Sequence, residues 1–160
     1  MLVALEAARA VGLLVWPFSA DGRRVGGVRG DTVHVWDTST GRLVFQRTLP
    51  GLAALDLAPD GESAWLRTAD GKLRSVRLSD GSTTSTIDPG FADGEFWSSP
   101  DGRRMAFYSP SRCEIQISDT DGSSRQTLRL PPPVCPIGLL WTPDSGGLLV
   151  AGDDFRGYTN

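Results

Sequence analysis

The sequence predicts an all-β fold, a β-propeller of four-stranded antiparallel blades with about four blades in 160 residues. Three observations carry that expectation. A turn signal recurs at Ser19-Ala20-Asp21-Gly22, Ala58-Pro59-Asp60-Gly61, Ser99-Pro100-Asp101-Gly102 and Thr142-Pro143-Asp144-Ser145, with the aspartates 39, 41 and 43 residues apart. A second signal runs out of phase with the first, at Ser39-Thr40-Gly41, Ser79-Asp80-Gly81 and Thr120-Asp121-Gly122, with glycines 40 and 41 residues apart. Finally, 19 Gly and 11 Pro turn the chain too often for a helix bundle, while an apolar fraction of 39% is enough for a core.

Each repeat resolves into the same four elements. An inner strand ends at the first turn signal, and a second strand returns from it. A third strand ends at the second signal, and an outer strand leads to the next unit. Asp bonds back to the local backbone and Gly supplies the positive φ of a tight hairpin, so both signals join antiparallel neighbours. Runs at 33–36, 64–67, 105–108, 114–117 and 148–150 are rich in β-branched, aromatic or aliphatic residues and have strand length. The units fall at about 2–40, 41–80, 81–121 and 122–160. Shifting the second unit back by 39 places Gly51 on Gly12 and residues 43–49 on 4–10, so 2–10 reads as an outer strand despite its helix-forming composition. Residues 155–160 read as the third strand of the last unit, whose outer strand 2–10 would supply to close the ring. Closure by four blades alone, by two copies as eight, or within a longer propeller all fit this pattern. The triplet Pro131-Pro132-Pro133 reads as a stiff connector between blades.

The first unit, Phe18-Ser19-Ala20-Asp21-Gly22 followed by Val33-His34-Val35-Trp36-Asp37, resembles a tryptophan-aspartate (WD) repeat. The third, Ser99-Pro100-Asp101-Gly102-Arg103-Arg104-Met105-Ala106-Phe107 with Ile115-Gln116-Ile117-Ser118-Asp119-Thr120-Asp121-Gly122-Ser123, is similar to the TolB-type, WD-like repeat. Only the first unit carries Trp-Asp, and no unit carries the Gly-His pair of many WD repeats. The resemblance implies a propeller with a general binding role, and it transfers no catalytic or ligand residue.

Charge and chemistry narrow the function further. Nineteen acids against 16 bases, without a basic run, give no electrostatic footprint for nucleic acid or an anionic membrane. Fifteen of the bases are Arg, which reads as codon composition. No apolar run reaches the roughly 20 residues of a membrane-spanning helix. The first 18 residues lack a basic leader and carry Glu6 and Arg9, so they do not read as a secretion signal, and a cytoplasmic location is expected. His34, the single histidine, lies between Val33 and Val35 and reads as structural. No Gly-x-Ser-x-Gly elbow, Walker loop or dinucleotide glycine pattern occurs. Asp119-Thr120-Asp121-Gly122 opens like a calcium loop but lacks the later acidic ligands, and Asp153-Asp154 reads as solvated loop charge. Cys113 and Cys135 fall near one rim; isolated thiols are the expectation, with a bridge as the alternative. No metal or other cofactor is expected.

Antiparallel connectivity puts both turn signals on one rim and the longer loops on the other. That second rim gathers Arg29, Asp31, Asp88, Phe91, Asp93, Arg112, Pro132, Asp153 and Phe155, a mixture of aromatics, Arg and acids suited to protein or peptide recognition. A noncatalytic binding module or scaffold is therefore the first expectation, with self-association or further blades available to complete a ring. The alternative is an accessory or gating propeller segment of a larger enzyme, such as a peptidase whose catalytic domain is absent from this chain. A sensor with a small ligand in a central channel is the third.

Overall fold

The computed structural model describes residues 14–91, 93–129 and 134–154, and these form 14 β-strands and no helix. The chain divides into two compact units, Met1–Asp88 and Pro89–Asn160.

The first unit contains two four-stranded antiparallel sheets, each a meander in chain order. The first sheet runs β1 (Leu14–Phe18), β2 (Arg24–Arg29), β3 (Thr32–Asp37) and β4 (Leu43–Thr48); the second runs β5 (Leu52–Leu57), β6 (Ser63–Thr68), β7 (Leu73–Arg77) and β8 (Thr83–Ile87). Period-two alternation puts Val33 and Val35 of β3 in the core and leaves His34 between them only partly covered. The two sheets share one apolar core, in which Val33, Val35 and Phe45 meet Leu55, Leu57 and Leu66. Strand β5 lies against β1 and β2. Gly26 makes that approach possible, since a Cβ there would stand 2.7 Å from Leu55 Cδ2.

The second unit repeats the scheme. Strands β9 (Glu95–Ser98), β10 (Arg104–Ser109), β11 (Glu114–Asp119) and β12 (Gln126–Arg129) form a four-stranded meander, and β13 (Val134–Trp141) pairs with β14 (Leu148–Asp154) in a two-stranded sheet. Strand β13 packs on β9, β10 and β11. Leu139 and Trp141 are buried against Ala106 and Ile115, and Trp141 Nε1 donates a 3.1 Å hydrogen bond to the Trp97 carbonyl. The Arg104 guanidinium sits 5.0 Å from the Trp141 ring centre, a cation–π contact.

Both turn series occupy their expected places. Ser19 Oγ donates to Asp21 Oδ1 (2.6 Å) and accepts from the Arg24 N–H (3.0 Å). Ser99, Asp101 and Arg104 repeat this at 2.6 and 2.9 Å, and Thr142, Asp144 and Gly147 at 2.5 and 2.8 Å. The second series turns after β3, β7 and β11, closed by the Gly41, Gly81 and Gly122 N–H groups on the carbonyls of Asp37, Arg77 and Asp119. All five apolar runs lie in strands.

Two expectations are corrected. Asp153-Asp154 is the end of β14, paired with Cys135 and Val134, because the hairpin is longer than the apolar run 148–150. Cys113 is disulfide-bonded and not an isolated thiol; the one other cysteine in the sequence is Cys135. Cys113 stands in the β10–β11 hairpin at φ +51°, a left-handed position that few non-glycine residues adopt. The expected strands at 2–10 and 155–160, and the Pro131-Pro132-Pro133 connector, lie outside the described residues.

Candidate functional site

In the first unit the β4–β5 connection and the β6–β7 hairpin come together because β5 and β6 pair antiparallel, with Leu52 opposite Thr68. The connection Leu49-Pro50-Gly51 is tied on both sides. The Leu49 N–H donates to the Asp31 carbonyl (2.8 Å), and the Ala69 N–H donates to the Gly51 carbonyl (2.7 Å). Gly51 is required twice over: its φ is +73°, and a Cβ there would stand 2.9 Å from the Ala69 Cβ. Between these two loops lies a cleft of about 300 Å³ lined by Leu49, Pro50, Thr68, Ala69, Asp70 and Arg74.

Apolar and charged surface are both present there. Leu49, Pro50 and Ala69 supply the apolar side, while Arg74 is clamped at the other. Arg74 Nη2 donates to Asp70 Oδ2 (2.6 Å), and Nη1 donates to Thr68 Oγ1 (2.5 Å), which itself donates to Asp70 Oδ1 (2.6 Å). The Lys72 N–H adds a further bond, to Asp70 Oδ1 (3.1 Å). The Arg74 guanidinium, then the Thr68 hydroxyl, hold the Asp70 carboxyl far below the usual carboxylate range, and Asp70 raises Arg74 in return. The result is a fixed guanidinium–carboxylate pair beside an apolar wall, an arrangement able to offer its remaining guanidinium N–H groups to a peptide carbonyl next to an apolar side chain.

The expected rim residues divide between the units. Arg29 ends β2 and Asp31 follows it in the β2–β3 hairpin; both are exposed, and the Asp31 backbone anchors the cleft through Leu49. Asp88, also exposed, closes the first unit. In the second unit Phe91, Asp93 and Arg112 come together. Arg112 stands 5.9 Å from the Phe91 ring centre and donates to the Gly90 carbonyl (3.2 Å). Asp93 accepts from Ser109 Oγ (3.0 Å) and the Ser111 N–H (3.0 Å), bonds that tie it to the β10–β11 hairpin and lower its pKa, the Ser111 amide most. Phe91 is 9% exposed, so it is a buried prop and not the expected open anchor. Asp153 lies in β14 with its side chain outside the description, as are Pro132 and Phe155 altogether.

The other singled-out groups have local partners. His34 stacks on Trp36 at 5.6 Å and 10°, and its buried Nδ1 has no hydrogen-bond partner among the described residues. Asp121 accepts from the Ser123 N–H (2.8 Å) and Asp119 from Ser123 Oγ (3.3 Å), which is turn closure. Among the described residues no group of three or more His, Cys, Asp or Glu side chains is arranged to hold a metal, and no helix is long and apolar enough to cross a membrane. No protein-family model and no curated protein matches this chain.

Proposed function

We propose that the chain is a noncatalytic, WD-like propeller module that binds a protein or peptide through the rim formed by its sheet connections and second-to-third-strand hairpins. The observation that carries this reading is the cleft between Leu49-Pro50 and the β6–β7 hairpin, where Asp70 and Thr68 hold the Arg74 guanidinium in place. Preorganisation reduces the ordering cost of binding, and an apolar wall beside a fixed Arg is the composition of recognition hot spots. Two features support the propeller reading. Within each unit, consecutive antiparallel sheets pack face to face, and the same 40-residue pattern generates both units. The disulfide at Cys113 fits an oxidising compartment better than the cytoplasm.

The test is selection of peptides from a random displayed library on the folded chain, followed by affinity measurement on two variants. Ala69→Trp fills the cleft, and Arg74→Ala removes its cation. The reading expects peptides whose dissociation constants rise about tenfold or more on each variant. Peptides that bind both variants as well as the parent chain would refute the site.

A further inference from the structure

We infer that the group taken by the cleft is an internal peptide residue in extended conformation, its C=O held by Arg74, its N–H by Asp70, and its aliphatic side chain seated on Leu49, Pro50 and Ala69. The inference rests on the peptide-binding reading above and names the chemistry of its ligand. Every group involved lies in the first unit, on loops that the β5–β6 pairing brings together.

A guanidinium carries its N–H donors on two edges, an end edge of Nη1 and Nη2 and a side edge of Nε and Nη2. The end edge of Arg74 faces Asp70, with Nη2 donating to Oδ2 at 2.6 Å and Nη1 to Oδ1 at 3.3 Å, and Nη1 also donates to Thr68 Oγ1 at 2.5 Å. The side edge, Nε–H with the second Nη2–H, makes no hydrogen bond among the described residues. The carboxylate is used unevenly as well. Asp70 Oδ1 accepts from Thr68 Oγ1, the Lys72 N–H and Arg74 Nη1, whereas Oδ2 accepts from Arg74 Nη2 alone and keeps a second acceptor position. Both side chains are within reach of a ligand, at 30% exposure for Arg74 and 45% for Asp70.

An open donor edge beside an open acceptor, on a pair whose charges cancel, is the complement of a neutral main chain. In an antiparallel ladder a hydrogen-bonded residue exchanges both its N–H and its C=O with the residue opposite. Arg74 and Asp70 present those two functions from side chains, the guanidinium edge for the C=O and Oδ2 for the N–H. A carboxylate on the ligand would meet Asp70 Oδ2 next to the Arg74 edge, and a cation would meet Arg74 next to Asp70, so either charge encounters its like. The uncharged peptide group encounters neither repulsion. An extended residue carries its side chain perpendicular to the plane of these bonds, and Leu49, Pro50 and Ala69 offer an apolar wall to receive it. A cleft of about 300 Å³ with no aromatic ring in its lining suits one aliphatic side chain with its flanking peptide groups.

The experiment titrates three small probes into the full chain at neutral pH and follows backbone amide shifts at Thr68, Ala69 and Asp70 together with the Arg74 Nε–H. The probes are N-acetyl-leucine methylamide, its ester analogue with oxygen in place of the leucine N–H, and N-acetyl-leucine with its free carboxylate. The methylamide should bind with a dissociation constant on the order of 1 mM, the value its size allows, and move the Arg74 Nε–H. The ester and the carboxylate should each bind about tenfold more weakly or worse. In Asp70→Asn, checked by circular dichroism, the carboxylate should gain on the methylamide by about tenfold, because Arg74 then lacks its counter-charge. A methylamide that leaves the cleft unmoved, an ester or carboxylate that binds as well, or a preference unchanged in Asp70→Asn would each overturn the inference. Library peptides that still bind through the cleft in those cases would leave the peptide-binding reading standing, and the absence of such peptides would remove that reading too.

Discussion

Asp101 shows what one aspartate does at each turn of the first series. It accepts from the Ser99 hydroxyl and from the Arg103 N–H, so one carboxylate closes the loop locally, and Ser99 itself is fully buried. Removing the hydroxyl leaves the Arg104 N–H without its acceptor, so Ser99→Ala is expected to cost about 1 kcal/mol in a denaturant titration. Ala58 occupies the same position in the second sheet, where Asp60 still accepts from the Glu62 N–H at 2.9 Å. Ala58→Ser is correspondingly expected to stabilise by up to about 1 kcal/mol. These hydrogen bonds also fix the pH response. The Ser82 hydroxyl and N–H hold Asp80 at about 2, below the ordinary 3.8, and Asp21, Asp101, Asp121 and Asp144 are lowered by their own Ser or Thr partners. Because folding lowers these values, their contribution is complete above 3.8 and is lost as pH falls toward about 2. Melting temperature should hold level from about pH 7 to about pH 5 and fall steeply below about pH 4. A flat profile down to about pH 2 would contradict the turn assignment.

At the scale of elements, strands and turns were legible because their causes are local. The Asp-to-backbone bond spans two residues, and period-two alternation places Val33 and Val35 inward without any distant partner. The disulfide at Cys113 was not legible, since sequence alone does not show how near another thiol comes. Nor was the tight start of β9. Gly94 has φ +94°, and a Cβ there would fall 1.7 Å from the Tyr108 carbonyl oxygen, an approach that only the folded β9–β10 pair creates. Gly94→Ala should therefore lower stability by about 3 kcal/mol or more in the same titration, from backbone strain and overlap together. An unchanged midpoint would mean that β9 does not enter its sheet as described. Phe91 misleads from sequence for a related reason: an aromatic after Pro89-Gly90 reads as a loop anchor, yet Arg112 covers its ring and it is buried.

Across the whole molecule, the repeat was readable in the sequence and the cleft was not. The cleft lies among the longer loops that the sequence singles out, and the Asp31 backbone braces it. Leu49, Pro50, Thr68, Ala69, Asp70 and Arg74 were missed, because the segments that carry them are joined only by the β5–β6 pairing. The available signal was the coincidence of Leu49-Pro50-Gly51 with Asp70-Gly71 at opposite ends of one predicted hairpin. The claim that recognition belongs to the loop rim is tested most directly by backbone amide chemical shifts recorded while a selected peptide is titrated into the chain. The account predicts shifts concentrated at Leu49, Gly51, Thr68, Ala69 and Asp70. Shifts concentrated instead at the opposite turns, around Asp21-Gly22 and Asp60-Gly61, with the cleft silent, would contradict it.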